Sequence, residues 1–283
     1  MAMLGAASLP ACKRSDRVRV GSKNFSESVL LGEILTQHLR RRSFDVEHKS
    51  SLGGTFVCHQ AMLSGDLDVY VEYTGTALVA VLKESPPSND PDAVRARVAQ
   101  GYLEKFDVVW LPSLGFDDSF AVLVRHKDAD ALGLAKISDL AAHPKLRPGF
   151  GYEFVERTDG WKSFADVYAL HFDDAPTTMD LGLTYKALAD GKVDVIAGNA
   201  TSGLIDKLDL VQLEDDKRFF PPYEAAPLIR KQLADRRPEI AKALGLLAGK
   251  MTTKDMRAMN LRIDAEGEAP GDVARDFLDR LGH

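Results

Sequence analysis

The sequence predicts an α/β protein with mostly parallel sheets, divided into two domains. Three observations carry this. Short apolar runs alternate with helix-period runs over most of the chain. The 283 residues are long for one domain and comfortable for two. Finally, residues 61–73 (AMLSGDLDVYVEY) align with residues 187–199 (ALADGKVDVIAGN) when Gly65 is set on Gly191, which puts Asp68 on Asp194 and Val69 on Val195. Each half of this echo reads as helix end, glycine C-cap, short buried strand and one residue just past it. Those last residues are Tyr73 and Asn199. Ligands of open parallel sheets bind outside the carboxyl ends of strands, so two such sheets would point Tyr73 and Asn199 at each other across a cleft.

The elements follow in order. Residues 17–20 (RVRV) alternate as a strand. GSKNFSES is a loop, with Asn24 and Glu27 spaced as a capping box and Ser26 as a second cap candidate. Val29, Leu30, Leu31, Ile34, Leu35 and Leu39 then mark an amphipathic helix. A strand at 44–49, a helix at 56–63 opened by LGGT, a strand at 67–71 and a helix from Thr76 come next. ESPPSNDPD is a surface loop. A helix at 91–106 leads to the strand DVVWL. Beyond Gly115 the pattern gives strands at 120–125, 145–150, 193–197 and 210–213. Helices fall near Ile137, near Trp161 and at 181–189. AAPLIR is a last strand, and the remainder is helical.

Hydrophobic residues make up 45% and charged residues 28% of the chain, as in ordinary globular proteins. With 36 basic against 42 acidic residues the formal net charge is −6, and no basic run appears, so no nucleic-acid partner is expected. No apolar stretch approaches the roughly 20 residues of a membrane span. MAMLGAASLPAC followed by KRSD has the form of a secretory signal ending in a lipoprotein cleavage site at Leu9-Pro10-Ala11-Cys12. The positive start of such a signal is missing, so the expectation is a chain that begins partway through it, with Cys12 lipidated and a lipid anchor as the only membrane contact. The bland alternative is a disordered, slightly greasy tail. Cys58 is the only other cysteine, so no disulfide is expected, and its apolar helical setting suits a small core residue.

The motifs VGSKNFSES, LGGT, GDLDVYVEYTGTAL, LGFDDSFAVLVR, FVERTDG and LEDDKRFFPPYEAAPLIR occur in this order. Together they resemble the substrate-binding proteins of osmoprotectant ABC importers, which bind glycine betaine, choline, carnitine and similar quaternary amines. The resemblance runs from about Val18 to the C-terminal helices. It implies a two-lobed periplasmic-binding-protein fold of type II with two crossover hinge strands, near residues 113–118 and 214–218. Lobe 1 would be discontinuous (17–114 plus 217–283), lobe 2 would span 115–216, and residues 1–16 would be signal remnant and linker. It also implies a monomer in the periplasm or at the cell surface that delivers its ligand to an ABC permease.

The chemistry of such a site can be argued from residue types. A quaternary ammonium donates no hydrogen bonds, and aromatic faces hold it by cation–π attraction. A carboxylate wants Lys, Arg, hydroxyls and backbone N–H groups. By resemblance Tyr73 and Tyr223 are cage tyrosines, Lys23, Thr76 and Arg157 hold the carboxylate, and the backbone carbonyl of Asp118 faces the cationic head. Gly75 permits close backbone approach, Tyr70 packs inside, and Glu72 sits on the rim. From the residues alone, Tyr73 is an ordinary strand-end aromatic, Lys23 solvated, Arg157 a surface salt bridge to Glu156 or Asp159, and Tyr223 a hinge-packing ring. Two positions depart from the family. Phe120 stands where a tyrosine is frequent, keeping the face and losing the hydroxyl. Asn199 also stands where a tyrosine is frequent, which removes one wall of the cage unless Asn199 is simply a helix cap. The carboxylate end is intact and the head-group end is altered.

An enzyme on the same fold is the competing class. Against it, the chain has no Gly-rich phosphate loop, no G-x-S-x-G and no H-E-x-x-H. Its seven histidines are scattered without ligand spacing, and most read as surface or helix-face residues. No metal or cofactor is expected. A ligand-sensing regulatory domain would carry a DNA-binding element, and none is appended.

Overall fold

A computed structural model describes residues 16–85, 90–157 and 160–282. Cys12 lies outside the described residues. Ten strands are formed: β1 (Val18–Gly21), β2 (Val46–Lys49), β3 (Val69–Tyr73), β4 (Val108–Trp110), β5 (Phe120–Arg125), β6 (Pro148–Gly151), β7 (Thr177–Met179), β8 (Val195–Asn199), β9 (Leu210–Gln212) and β10 (Ala225–Arg230). They make two five-stranded sheets of matching layout, β2-β1-β3-β10-β4 and β7-β6-β8-β5-β9. In each sheet one strand runs against its neighbours. β10 is antiparallel to β3 and β4, and β5 is antiparallel to β8 and β9. These are the first strand the chain makes on entering the second lobe and the first it makes on returning to lobe 1.

Helices cover both faces of each sheet, which is why β3 is buried along its whole length. On one face of the first sheet, Leu30, Leu31, Ile34, Leu35 and Leu39 of the helix Ser26–Arg40 meet Met256, Met259, Phe277 and Leu278 of the C-terminal helices Thr253–Asp264 and Pro270–Arg280. On the other face Tyr70, Tyr102 and Trp110 pack with Cys58. Burial pushes the Cys58 thiol up to about 11, so it is a neutral core residue.

The internal echo is realised as equivalent ion-pair anchors. Asp68, just before β3, receives Arg19 of β1 at 2.9 Å and also Arg230 of β10. Asp194, just before β8, receives Arg147 beside β6 at 2.7 Å and Arg125 of β5 at 2.5 Å. Burial pushes both carboxyls up, but the arginine hydrogen bonds outweigh it and hold both below the usual range.

The lobes are joined by two crossover segments that pair with each other. Asp117 bridges Glu224, the Asp118 N–H donates to the Tyr223 carbonyl at 3.1 Å, and the Tyr223 N–H donates to Asp117 Oδ2 at 2.6 Å. The second crossover thus lies at residues 221–224, later than the 214–218 expected, because Phe219 and Phe220 still pack in the second lobe's core. The helix Thr253–Asp264 makes a third connection. Its Arg257 Nε donates to the Ala200 carbonyl at 2.6 Å, and Asn260 Nδ2 to the Thr201 carbonyl at 3.0 Å. A Cβ on Gly203 would lie 2.5 Å from the Leu261 Cβ, so glycine permits this approach.

Three other expectations need correction. β7 was not anticipated; it is a three-residue, mostly exposed edge strand, too short to show a period. The capping box at Asn24 does not form: the helix is capped at Phe25 with no side-chain bond, and Glu27 is turned into the core. His38 and His59 are buried.

Candidate functional site

A cavity of about 600 Å³ opens between the lobes at the carboxyl ends of β3 and β8. Lys23, Tyr73 and Thr76 line it from lobe 1, Phe120, Arg157 and Asn199 from lobe 2, and Asp118 and Tyr223 from the two crossovers. The eight residues singled out in the sequence therefore converge on one space. Phe25, Phe56, Tyr152 and Leu181 extend its lining with partly exposed apolar surface.

At the lobe 1 end, the loop after β1 carries Lys23 inward. Its ammonium is buried, 2.6 Å from Glu72 Oε1, 4.7 Å from the centre of the Tyr73 ring and 5.6 Å from that of Phe25. Glu72 was expected on the rim and is instead fully buried. Alternation along β3 puts it opposite Tyr73 and beside Tyr70, on a face that helices cover. Its Oε1 also accepts the Tyr73 N–H at 2.9 Å. After Tyr73 the chain makes one α-turn (Thr74–Thr76) and continues as a π-helix (Ala77–Leu82), a form common at functional sites. Gly75 does permit a close approach, but of the Tyr223 ring: a Cβ there would lie 2.7 Å from its Cε1.

At the other end, Phe120 and Tyr223 meet edge to face at 5.9 Å. Arg157 lies against both. Its guanidinium carbon is 5.6 Å from the Phe120 ring centre and 6.0 Å from that of Tyr223, and Nη2 donates to the Tyr223 hydroxyl at 3.0 Å. The aromatic pair thus already holds a cation supplied by the protein itself.

Asp118 contributes more than a backbone carbonyl. Its buried carboxylate accepts from Thr201 Oγ1 at 2.7 Å, from the Thr201 N–H at 3.3 Å and from Asn199 Nδ2 at 3.3 Å. Asn199 does not cap the helix Leu204–Lys207, whose N-cap is Gly203. Burial and the nearby Glu27 push the Asp118 carboxyl well above its usual range.

Glu27 is the site residue that sequence reasoning missed. It accepts from the Tyr73 hydroxyl at 2.6 Å and from Asn260 Nδ2 at 2.7 Å. Burial raises its carboxyl despite the Thr201, Tyr73 and Asn260 hydrogen bonds that oppose the rise. The only sequence signal was an acid in a helix's first turn, a place that local capping explains equally well. Among the described residues no cluster of His, Cys, Asp or Glu could hold a metal ion, and no helix is long and apolar enough to cross a membrane.

Two α/β lobes with this strand order, paired crossovers and a lined cavity between them define a type II solute-binding protein. The chain belongs to the family of substrate-binding domains of ABC-type glycine betaine transport systems, whose model matches residues 16–280. It is 35% identical over 283 residues to the carnitine transport binding protein OpuCC of Listeria monocytogenes, covering 98% of this chain and 91% of the relative. It is 35% identical over 266 residues to the ergothioneine transport permease/ergothioneine binding protein EgtU of Helicobacter pylori, covering 93% of this chain and 47% of that longer protein. A solved structure described as a glycine betaine/carnitine/choline ABC transporter superposes with a TM-score of 0.85 at 34% identity, covering 93% of this chain and 98% of that one. The chain is a binding protein of an ABC importer, extracytoplasmic as such proteins are, and not an enzyme.

Proposed function

We propose that the cleft captures a carboxylate-bearing quaternary-amine or betaine-like zwitterion and delivers it to an ABC permease. The observation that supports this best is the convergence of two unlike surfaces on one cavity. Aromatic faces of Tyr73, Phe120 and Tyr223 suit a methylated cation that cannot donate hydrogen bonds. Lys23, Thr76 and Arg157 suit a carboxylate. Both positive side chains already lie against aromatic rings, so the ligand's ammonium replaces Arg157 on Phe120 and Tyr223, and Arg157 turns to the carboxylate. Asn199 leaves room and an amide where a tyrosine face is frequent in the family, which favours a zwitterion larger than glycine betaine with a polar group near its cationic end. We further propose that the protein is a monomer held at the membrane by lipid on Cys12, with lobe 1 formed by 17–114 and the C-terminal segment and lobe 2 by the intervening residues.

A thermal-shift screen of glycine betaine, carnitine, choline, proline betaine and ergothioneine tests the ligand class. A ligand at about 100 times its dissociation constant adds about 2.7 kcal/mol of stability. Stabilisation by the zwitterions and less by choline is the expected result. Equal or stronger stabilisation by choline would overturn the carboxylate assignment.

A further inference from the structure

The Thr201 hydroxyl stands between two buried carboxyl groups. It is 2.7 Å from Asp118 Oδ1, and its side chain also hydrogen-bonds Glu27. A hydroxyl has one proton to give. It can donate to one carboxylate only, so the second contact requires a proton on the other carboxyl, donated to the threonine oxygen. The remaining bonds agree with this. Glu27 already accepts from Tyr73 and Asn260, and Asp118 accepts from the Thr201 N–H and Asn199. Every printed partner is a donor that leaves room for one proton between the pair.

We propose that Glu27 and Asp118 share a single proton through Thr201 in the empty protein, and that the cationic head of a bound zwitterion expels this proton to solvent through the open cleft. Asp118 lines the cavity beside Phe120 and Tyr223, where the cation is placed. A positive charge there favours the ionised form of both acids, strongly so where water is excluded. The inference deepens the zwitterion reading and rests on it. The other charged and titratable groups facing the pair are Lys23, Glu72, Asp117, Tyr73 and Tyr185. Lys23 is paired with Glu72 at 2.6 Å, so it is not spare to balance two carboxylates. Burial raises both acids, and Asp118 is raised further by Glu27, consistent with one proton held between them at neutral pH. Tyr73 and Tyr185 are pushed upward by burial and stay protonated.

Calorimetric titration with glycine betaine and with carnitine tests this, in pairs of buffers that differ in ionisation heat. The apparent heat should differ between buffers by a fraction of a proton released per ligand. Affinity should rise with pH by up to about tenfold per pH unit. Glu27→Gln should bind with an affinity that no longer changes with pH and with no proton released. Two results would overturn the proposal while leaving the ligand class standing: wild-type binding with buffer-independent heat, or the same proton release in Glu27→Gln. The wild-type measurement decides by itself should that variant not fold. Failure of both compounds to bind at any pH would reject the zwitterion reading, and the shared-proton inference with it.

Discussion

Replacing Arg157 by alanine should move two ligands in opposite directions. In the empty protein this guanidinium rests on Phe120 and Tyr223 and donates to the Tyr223 hydroxyl at 3.0 Å. A ligand's ammonium must displace it. Two partly exposed cation–π contacts are worth about 0.5–1 kcal/mol each, and the hydrogen bond about 0.5–1.5 kcal/mol. Removing this internal competitor should therefore favour any trimethylammonium by about 1–2 kcal/mol, roughly 5- to 30-fold in affinity. A betaine also loses its carboxylate partner. Truncating a desolvated charge pair costs about 2–5 kcal/mol, so the net change should be a loss of about 1–3 kcal/mol. Choline, which has no carboxylate, should show only the gain. Isothermal titration of wild type and Arg157→Ala with glycine betaine and choline reads both signs. If both ligands weaken, the guanidinium does not compete for the cage. If neither changes by more than about 0.5 kcal/mol, Arg157 faces solvent when ligand is bound.

Four other outcomes can be checked. Asn199→Tyr should restore an aromatic wall and tighten glycine betaine by about 1–2 kcal/mol, read by titration; no gain would mean that the cavity does not place the head group there. Gly75→Ala puts a Cβ 2.7 Å from the Tyr223 ring and should lower thermal stability by about 1–3 kcal/mol while weakening every cationic ligand. Asp194→Asn should lower stability by roughly 3 kcal/mol near neutral pH by stranding Arg125. The native carboxyl is held below its unfolded value, so this contribution is present above about pH 4 and fades as pH falls further, and acid melts of the two proteins should converge. Mass spectrometry of protein from its native host should find Cys12 as the lipidated first residue; an intact peptide spanning residues 1–14 would reject this.

Much of the architecture was legible because local and global signals agree. Pro91 opens the helix Pro91–Phe106 and Asp90 caps it through the Asp92 N–H. Asp180 caps Leu181–Ala189 in the same way, through Gly182. Tyr73 and Asn199 were placed by a strand-end rule and an internal echo, and both strand ends do reach the cavity. What escaped is non-local. Glu72 looked like rim because a charged residue on a strand usually faces water, yet β3 is central and both its faces are covered. Its partner Lys23 is 49 residues away, so no short-range pattern joins them. Glu27 meets Asn260 across 233 residues. The second crossover was placed too early because EDDKR reads as a surface turn, whereas FFPP supplies core rings before the chain leaves the lobe.

The position of β10 has a consequence for how the chain acquires its shape during synthesis. It lies between β3 and β4, yet it is not made until residues 225–230. The first four strands leave the ribosome with their central gap unfilled. The second lobe, whose strands all lie between Phe120 and Gln212, is an uninterrupted stretch that can close its sheet first. The earliest-made segment is thus among the last to be completed, and it waits as an open edge while its neighbour matures. An extracytoplasmic destination suits that order, since a chain that finishes folding only when its tail arrives remains threadable through a translocation channel until then.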